Sequence, residues 1–350
     1  MTLRTLFCFL PFLVCLCWTA CFIFNFRQDN KAKQMLAVFL ATCTVLYLCH
    51  GLYFTTGYSH LRDCIWSFCS LAVYPFYYCY IRLLSTRKLS RKLAFLVILP
   101  GAVIAVIKFF QPSTIVDNVQ KIVMLIQVLL VLMLGTRSLD NLNRQISEFY
   151  SDTEKRDATP IKNLLIVFVI TSVASAIANV LGRQFFGDSN VLLYSISLTF
   201  SVLLFCVSYI GFHRDFTIEQ FTKDLGKEEQ PELALSEEEG KLLGQKLFTL
   251  IEEEEFFLNS NITLNDVAKR IGSCRTYVSN YINKNKGVSF SDYINELRIE
   301  HAKKLLSANR NEKMIIIAEM SGYANEQSFF RNFRKFTDMT PSEWIAKNHN

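Results

Sequence analysis

The sequence predicts an all-α protein in two parts. A bundle of seven transmembrane helices is expected over residues 1–212, and a module of two helix-turn-helix units over 259–350, with an acidic connector over 213–258 between them. Three observations carry this. Seven apolar runs before residue 213 approach or exceed the roughly 20 helical residues that cross a hydrocarbon core. Charge changes sign along the chain: residues 1–212 hold 18 Lys and Arg against 9 Asp and Glu, residues 213–258 hold 5 against 13, and residues 259–350 hold 14 against 9. Beyond residue 259, two stretches repeat the order apolar helix, Gly turn, apolar-faced helix.

The apolar runs lie near 3–26, 35–57, 63–84, 93–110, 118–135, 161–182 and 191–212. The first is too long for a signal-peptide core and has no clear small-residue cleavage site. Loops 27–34, 85–92 and 136–160 carry Arg27, Lys31, Lys33, then Arg87, Lys88, Arg91, Lys92, then Arg137, Arg144, Lys155, Arg156. The opposite loops carry only Arg62 and Arg183. Positive loops stay in the cytoplasm. The expected protein is therefore a multi-pass inner (cytoplasmic) membrane protein with its N-terminus outside and its C-terminus in the cytoplasm.

All outer loops are short, so a small-molecule or protein signal has to enter through the bilayer, through a cavity between helices, or by way of a partner. Ionisable residues in or near the runs are His50, Asp63, Arg82, Lys108, Asp117 and Lys121. Charge inside a membrane marks function by default. Most of these sit near helix ends, however, where they can snorkel to the interface; His50 is the deepest. Tyr74, Phe76, Tyr77, Tyr78 and Tyr80 read as packing and interface anchors. The seventh run holds no Lys, which excludes retinal Schiff-base chemistry. Of 11 cysteines, ten lie in apolar runs, where Cys is a small hydrophobe; no zinc-ligand spacing is present.

In the connector, Leu243, Leu247, Leu250, Ile251 and Leu258 recur at helical spacing. This stripe either packs on the C-terminal module or forms the seam of a homodimer. Thr263 to Asp266 then gives an N-cap signal, and Leu264, Val267, Ala268 and Ile271 make the inner face of a short helix that ends at Gly272. The next helix, near 274–285, buries Tyr277, Val278, Tyr281 and Ile282. It leaves Arg275, Thr276, Ser279, Asn280 and Asn283 outward. Ser289 to Asp292 caps a long helix that carries Tyr293, Ile294, Leu297, Ala302, Leu305 and Leu306.

The second unit is sharper. An apolar helix ends at Ser321-Gly322, and Gly enters left-handed backbone space without cost. Asn325 caps a helix on which Phe329, Phe330, Phe333 and Phe336 recur at spacings of three and four. The remaining side presents Ala324, Asn325, Glu326, Gln327, Ser328, Arg331, Asn332 and Lys335, chemistry suited to base edges and phosphates. Thr340-Pro341-Ser342-Glu343 is a capping box that opens a third helix.

These residues resemble the second helix-turn-helix of the AraC/XylS family of bacterial transcription regulators. The likeness rests on Ala318, Gly322-Tyr323, Ser328-Phe329-Phe330-Arg331, Phe333-Arg334-Lys335 and Thr340-Pro341. The run Tyr293 to Arg298 is similar to the family's joining helix. Two departures are Asp338, where Gly is commoner, and Cys274, where a capping Ser is usual. The resemblance covers about residues 240–350. It implies a module of seven helices whose two recognition helices meet successive major-groove turns about 34 Å apart. It implies double-stranded DNA as partner and no cofactor.

Together these point to a membrane-tethered transcription regulator whose membrane half senses or relays a signal. The alternative is a membrane transporter or enzyme with an appended regulatory module. Catalysis is not expected, since the chain has no phosphate loop, nucleophile elbow, HExxH or kinase motif set.

Overall fold

The computed structural model describes residues 2–25, 30–86, 89–154, 156–181, 189–214, 221, 223–224, 236–308 and 312–348, with backbone only at 91–97, 175–181 and 348. Among these residues the chain is all-helical, apart from one isolated antiparallel bridge between Tyr150 and Thr263. Arg27, Arg87, Lys88, Lys155 and Arg183 lie outside the described residues, as does most of the acidic linker. The chain divides into two units, one of Met1–Leu142 and Ala158–Thr222, the other of Asn143–Asp157 and Lys223–Asn350.

The first unit is built from α1 (Leu3–Phe24), α2 (Lys31–Thr56), α3 (His60–Ser85), α4 (Arg91–Phe110), α5 (Thr114–Phe149), α6 (Thr159–Leu181) and α7 (Asn190–His213). All seven apolar runs thus appear as helices. Five of them, α1, α2, α3, α5 and α7, are long and apolar enough to cross a membrane by length and composition; α4 and α6 give shorter described stretches, Ile98–Phe110 and Thr159–Ala174. Helix α1 packs on α2 and α7, α2 on α3, and α3 on α4. Helix α3 is central: 67% of its apolar window is buried, against 39% or less for the other four. Tyr77 and Tyr80 are buried on it and pack on each other, and Tyr77 packs with Phe39 and Phe168, in line with the packing role read from sequence. Trp18 on α1 packs against Phe205, Tyr209 and Phe212 on α7. Lys33 at the start of α2 donates to the Phe212 carbonyl over 2.7 Å, tying the ends of α2 and α7 together.

Helix α5 corrects the sequence reading. Residues 136–149, expected as loop, continue the helix to a length of 36 residues. The stretch holds no Pro or further Gly, and Leu139, Leu142, Ile146 and Phe149, spaced three, four and three apart, are all buried. Gly135 does not break the helix. Its missing side chain lets α5 and α6 approach, since a Cβ there would come within 2.8 Å of Leu165.

The polar residues of this unit also differ from expectation. Asp63, Lys108 and Asp117 do not reach out separately. Lys108 Nζ lies 2.7 Å from Asp63 Oδ2 and 2.7 Å from Asp117 Oδ1, and donates to Ser67 Oγ over 3.2 Å. Each charge occupies the helix end whose dipole favours it: the acids in the first turns of α3 and α5, the cation in the last turn of α4. His50 packs edge-on against Phe54 and borders a cavity of only about 10 Å³, room for one water at most.

The second unit contains α8 (Glu237–Phe248), α9 (Leu264–Arg270), α10 (Arg275–Lys286), α11 (Phe290–Ala308), α12 (Met314–Met320), α13 (Glu326–Thr337) and α14 (Pro341–Asn348). Ser236 and Glu239 cap α8 reciprocally. The helix does not run on to Leu258 as expected. It widens into a π-turn over Thr249–Glu253 and breaks at Glu255, whose φ of 53° is left-handed. Glu252 and Glu255, like charges three apart, would share one face of a continued helix, which favours that break. Leu243, Leu247, Leu250 and Ile251 are buried, and Gly244 lies under the Tyr281 ring of α10. The connector stripe therefore packs on its own module.

The main core of this unit gathers Ile299, Ala302 and Leu306 of α11, Ile317 and Ala318 of α12, Tyr323, and Phe329 and Phe333 of α13. Phe330, Phe336 and Trp344 pack on its margin.

Candidate nucleic-acid interface

In the first helix pair, Thr263 Oγ1 accepts from the Asp266 amide over 3.3 Å and Asp266 Oδ2 accepts from the Thr263 amide over 2.9 Å. This capping box starts α9, and Gly272, with φ +66°, turns the chain into α10. Cys274 stands at the N-cap of α10 without a side-chain bond, the weaker cap expected of it. Val278 and Ile282 are buried, while Tyr277 and Tyr281 are half-buried. On the other side Asn280 is exposed, and Arg275, Thr276, Ser279 and Asn283 are half-buried, with Asn283 Nδ2 3.4 Å from Ser279 Oγ.

In the second pair, Gly322 takes φ +80°, and a Cβ there would meet the Leu258 carbonyl oxygen at 2.7 Å. Conformation and space both demand Gly at this turn. Asn325 Oδ1 accepts from the Ser328 amide over 2.8 Å, capping α13 as its side chain predicts. Phe329 and Phe333 are fully buried, which fixes the rotation of the helix. Asp338 closes it in left-handed geometry at φ 57°, doing the work of the commoner Gly. Thr340 and Glu343 exchange backbone bonds of 2.7 and 3.2 Å and start α14.

This rotation exposes Gln327, Arg331 and Lys335, one stripe at a spacing of four, beside exposed Ala324 and Arg334. Asn325 and Glu326 are half-exposed at the helix start. Among the described ion pairs none joins Arg331 to Glu326 or to another carboxylate. Lys335 does have a partner, Asp292 of α11. Asn332 turns its amide back on the Ser328 carbonyl over 2.9 Å.

Residues 267–347 match the family described as a helix-turn-helix domain. The C-terminal module is a helix-turn-helix domain of the AraC type. Similar proteins include the uncharacterized HTH-type transcriptional regulator YtdP of Bacillus subtilis, 35% identical over 85 residues, 24% of this chain and 11% of that protein. YijO of Escherichia coli, also an uncharacterized HTH-type transcriptional regulator, is 33% identical over 90 residues, 26% of this chain and 31% of its own. SA0097 of Staphylococcus aureus is 30% identical over 90 residues, covering 26% and 12%. The chain thus spans between about a tenth and a third of the curated relatives it matches. No solved structure matches.

Within the helix-turn-helix domain, Ser328 is the expected site residue that the structure does not present outward. It is 1% exposed. Its Oγ lies 2.5 Å from Glu154 Oε2 and 3.2 Å from Asp152 Oδ1, and donates its single proton to the nearer. Both acids belong to the segment 143–157 of the same unit. Ser151 of that segment is fully enclosed. Its amide and hydroxyl donate to the Ile262 carbonyl over 3.2 and 2.8 Å, and its carbonyl accepts from Ser291 Oγ and Asn295 Nδ2 over 3.0 and 2.9 Å. Beside it Arg298 is 1% exposed and donates to the carbonyls of Phe257 and Asn259 over 2.8 and 2.7 Å. Burial pushes the Arg298 pKa down to about 10, so it stays charged near neutrality.

Sequence reading missed this cluster. The one local signal is the chemistry of residues 291–298: Ser291, Asn295 and Arg298, at spacings of four and three, lie on the buried side of an otherwise apolar helix face. Buried polar groups require partners; Ser291 supplies one for Asn295 on the same helix, and the rest come from Ser151, Phe257 and Asn259.

Proposed function

We propose that this protein is a membrane-tethered transcription regulator that binds double-stranded DNA through its helix-turn-helix domain, with the apolar helices as a seven-span membrane half that relays a signal. One observation carries the DNA reading: Phe329 and Phe333 lock α13 so that Gln327 and Arg331 stand exposed on its N-terminal turns. That is the end of a recognition helix that meets base edges. Gln327 suits adenine through two hydrogen bonds, and Arg331 suits guanine or a phosphate. Arg275, Thr276, Ser279, Asn280 and Asn283 on α10 are the corresponding candidates in the first unit, and Asn325, Glu326, Asn332 and Lys335 complete the second.

The membrane reading draws support from exposed apolar side chains on the long helices. Ile122, Ile126 and Met133 on α5 are more than half exposed, as are Val202 on α7 and Ile170 on α6. An apolar surface of this extent calls for hydrocarbon or another protein face. The loop charges support the orientation.

Measuring the affinity of the full chain in detergent for a labelled random-sequence duplex across a salt series tests the DNA reading. Binding that weakens steeply with salt is expected, and salt-insensitive or absent binding refutes it. In Arg331→Ala, a base contact predicts a loss of about 1–3 kcal/mol confined to particular sequences. A phosphate contact predicts an even loss with a salt slope lower by about one. Unchanged affinity removes Arg331 from the interface.

Topology has its own test. Reporters that work only in the cytoplasm are expected to be active when fused after Lys33 or Arg91, and inactive after Gln111 or Asp188. Activity at Asp188 would contradict seven spans.

A further inference from the structure

We infer that the acidic turn joining α5 to α6, centred on Ser151, Asp152 and Glu154, is an autoinhibitory plug that must leave the recognition helix α13 before that helix enters DNA. The inference rests on the DNA-binding reading above and adds its regulation. Ser328 is the third residue of α13, in the first turn, where the helix dipole favours an anion; its amide is taken by Asn325, and its hydroxyl makes the contact. A DNA phosphate approaching that turn finds carboxylate already there: Glu154 at 2.5 Å and Asp152 at 3.2 Å from Ser328 Oγ. Two negative side chains also oppose a polyanion.

The plug is seated as well as charged. The backbone of Ser151 is bonded on both sides, to Ile262 ahead of α9 and to Ser291 and Asn295 of α11. Arg156 stacks over the Tyr150 ring with 4.1 Å to its centroid and donates to the Asp152 carbonyl over 2.9 Å, which folds the turn on itself. Its chain continues directly into α5 on one side and α6 on the other, two of the apolar helices. A rearrangement of those helices would therefore pull on the segment that covers Ser328. This supplies a route from the membrane half to the recognition helix other than the acidic connector.

With the plug seated, apparent DNA affinity is reduced by the fraction of molecules that have it displaced. Full-length protein in detergent, titrated with the labelled random-sequence duplex, tests the idea. In the double variant Asp152→Asn, Glu154→Gln, affinity is expected to rise about fivefold, by a factor that persists at raised salt. In the unmodified chain, adding the duplex is expected to speed hydrogen exchange at the Ser151 amide, which is bonded to Ile262 while the plug is in place. Bound DNA with Ser151 protection unchanged overturns the inference, and so does an affinity gain that vanishes at raised salt, since that is charge repulsion at a distance. A variant with unaltered affinity also overturns it and leaves the DNA reading intact. Absence of DNA binding in both proteins removes the reading beneath and the inference with it.

Discussion

Replacing Arg298 by Met is expected to destabilise the helix-turn-helix domain by about 2–4 kcal/mol, because two buried carbonyls lose their donor. Met matches the stem of Arg and keeps most of its packing. It cannot donate to the Phe257 and Asn259 carbonyls, which Arg298 reaches at 2.8 and 2.7 Å. Each buried carbonyl left without a donor costs about 1–3 kcal/mol, and relief of guanidinium desolvation offsets part of that. Arg298→Lys is expected to recover little, because a single ammonium cannot span two carbonyls as a planar fork does. The loss is also expected to be independent of pH near neutrality. Burial lowers the folded pKa to about 10, below the ordinary guanidinium value, so below about 10 both folded and unfolded states carry the proton, and stability would rise with pH only above it, until the unfolded chain also loses its proton. Denaturant unfolding of the full chain, followed by exchange protection of the core amides of α11 and α13, measures it. An Arg298→Met variant as stable as the parent would show that the cluster around Ser151 is not holding the domain together.

That cluster marks the limit of what the sequence discloses. The second helix-turn-helix was legible almost residue by residue, because each of its determinants is local. Gly322 supplies a positive φ, Asn325 and Thr340 supply caps, Asp338 supplies a left-handed end, and the four phenylalanines set the rotation of α13. The Tyr150–Glu154 turn has no period and no glycine signature. Its partners outside the segment stand 74 to 176 residues away in the chain, so nothing near it announces a docking site. The same limit explains Ser328. Its place on the helix face was readable, but the carboxylates that cover it come from 174 and 176 residues upstream. The extension of α5 was within reach, since Leu139, Leu142, Ile146 and Phe149 keep helical spacing; the positive charges Arg137 and Arg144 suit a cytoplasmic loop equally well.

The charges of the apolar unit are the second place where distant residues meet, and they support the other large prediction. Lys108→Met is expected to cost about 3 kcal/mol, near the lower end of the range for orphaning a buried ion. The lower end applies because the two acids differ in exposure. The Asp63 side chain is 11% exposed and would be left as a desolvated carboxylate, whereas Asp117 is 46% exposed and would keep much of its water. Helix-end placement softens the loss further, since the first turns of α3 and α5 favour negative charge. The double variant Asp63→Asn, Lys108→Met is therefore expected to regain most of the stability. No ion then remains buried without a partner. Replacing a buried ion pair by neutral groups is often close to neutral, whereas snorkelling residues would show no such coupling. Thermal or denaturant unfolding of the single and double variants in one detergent closes the cycle. A coupling near zero between positions 63 and 108 would mean that the two charges reach solvent separately, as their places near helix ends suggest when each is read alone. A coupling of about 2 kcal/mol or more would make the Asp63–Lys108 pair a fixed link joining the ends of α3 and α4, so that neither could shift there without breaking a buried ion pair.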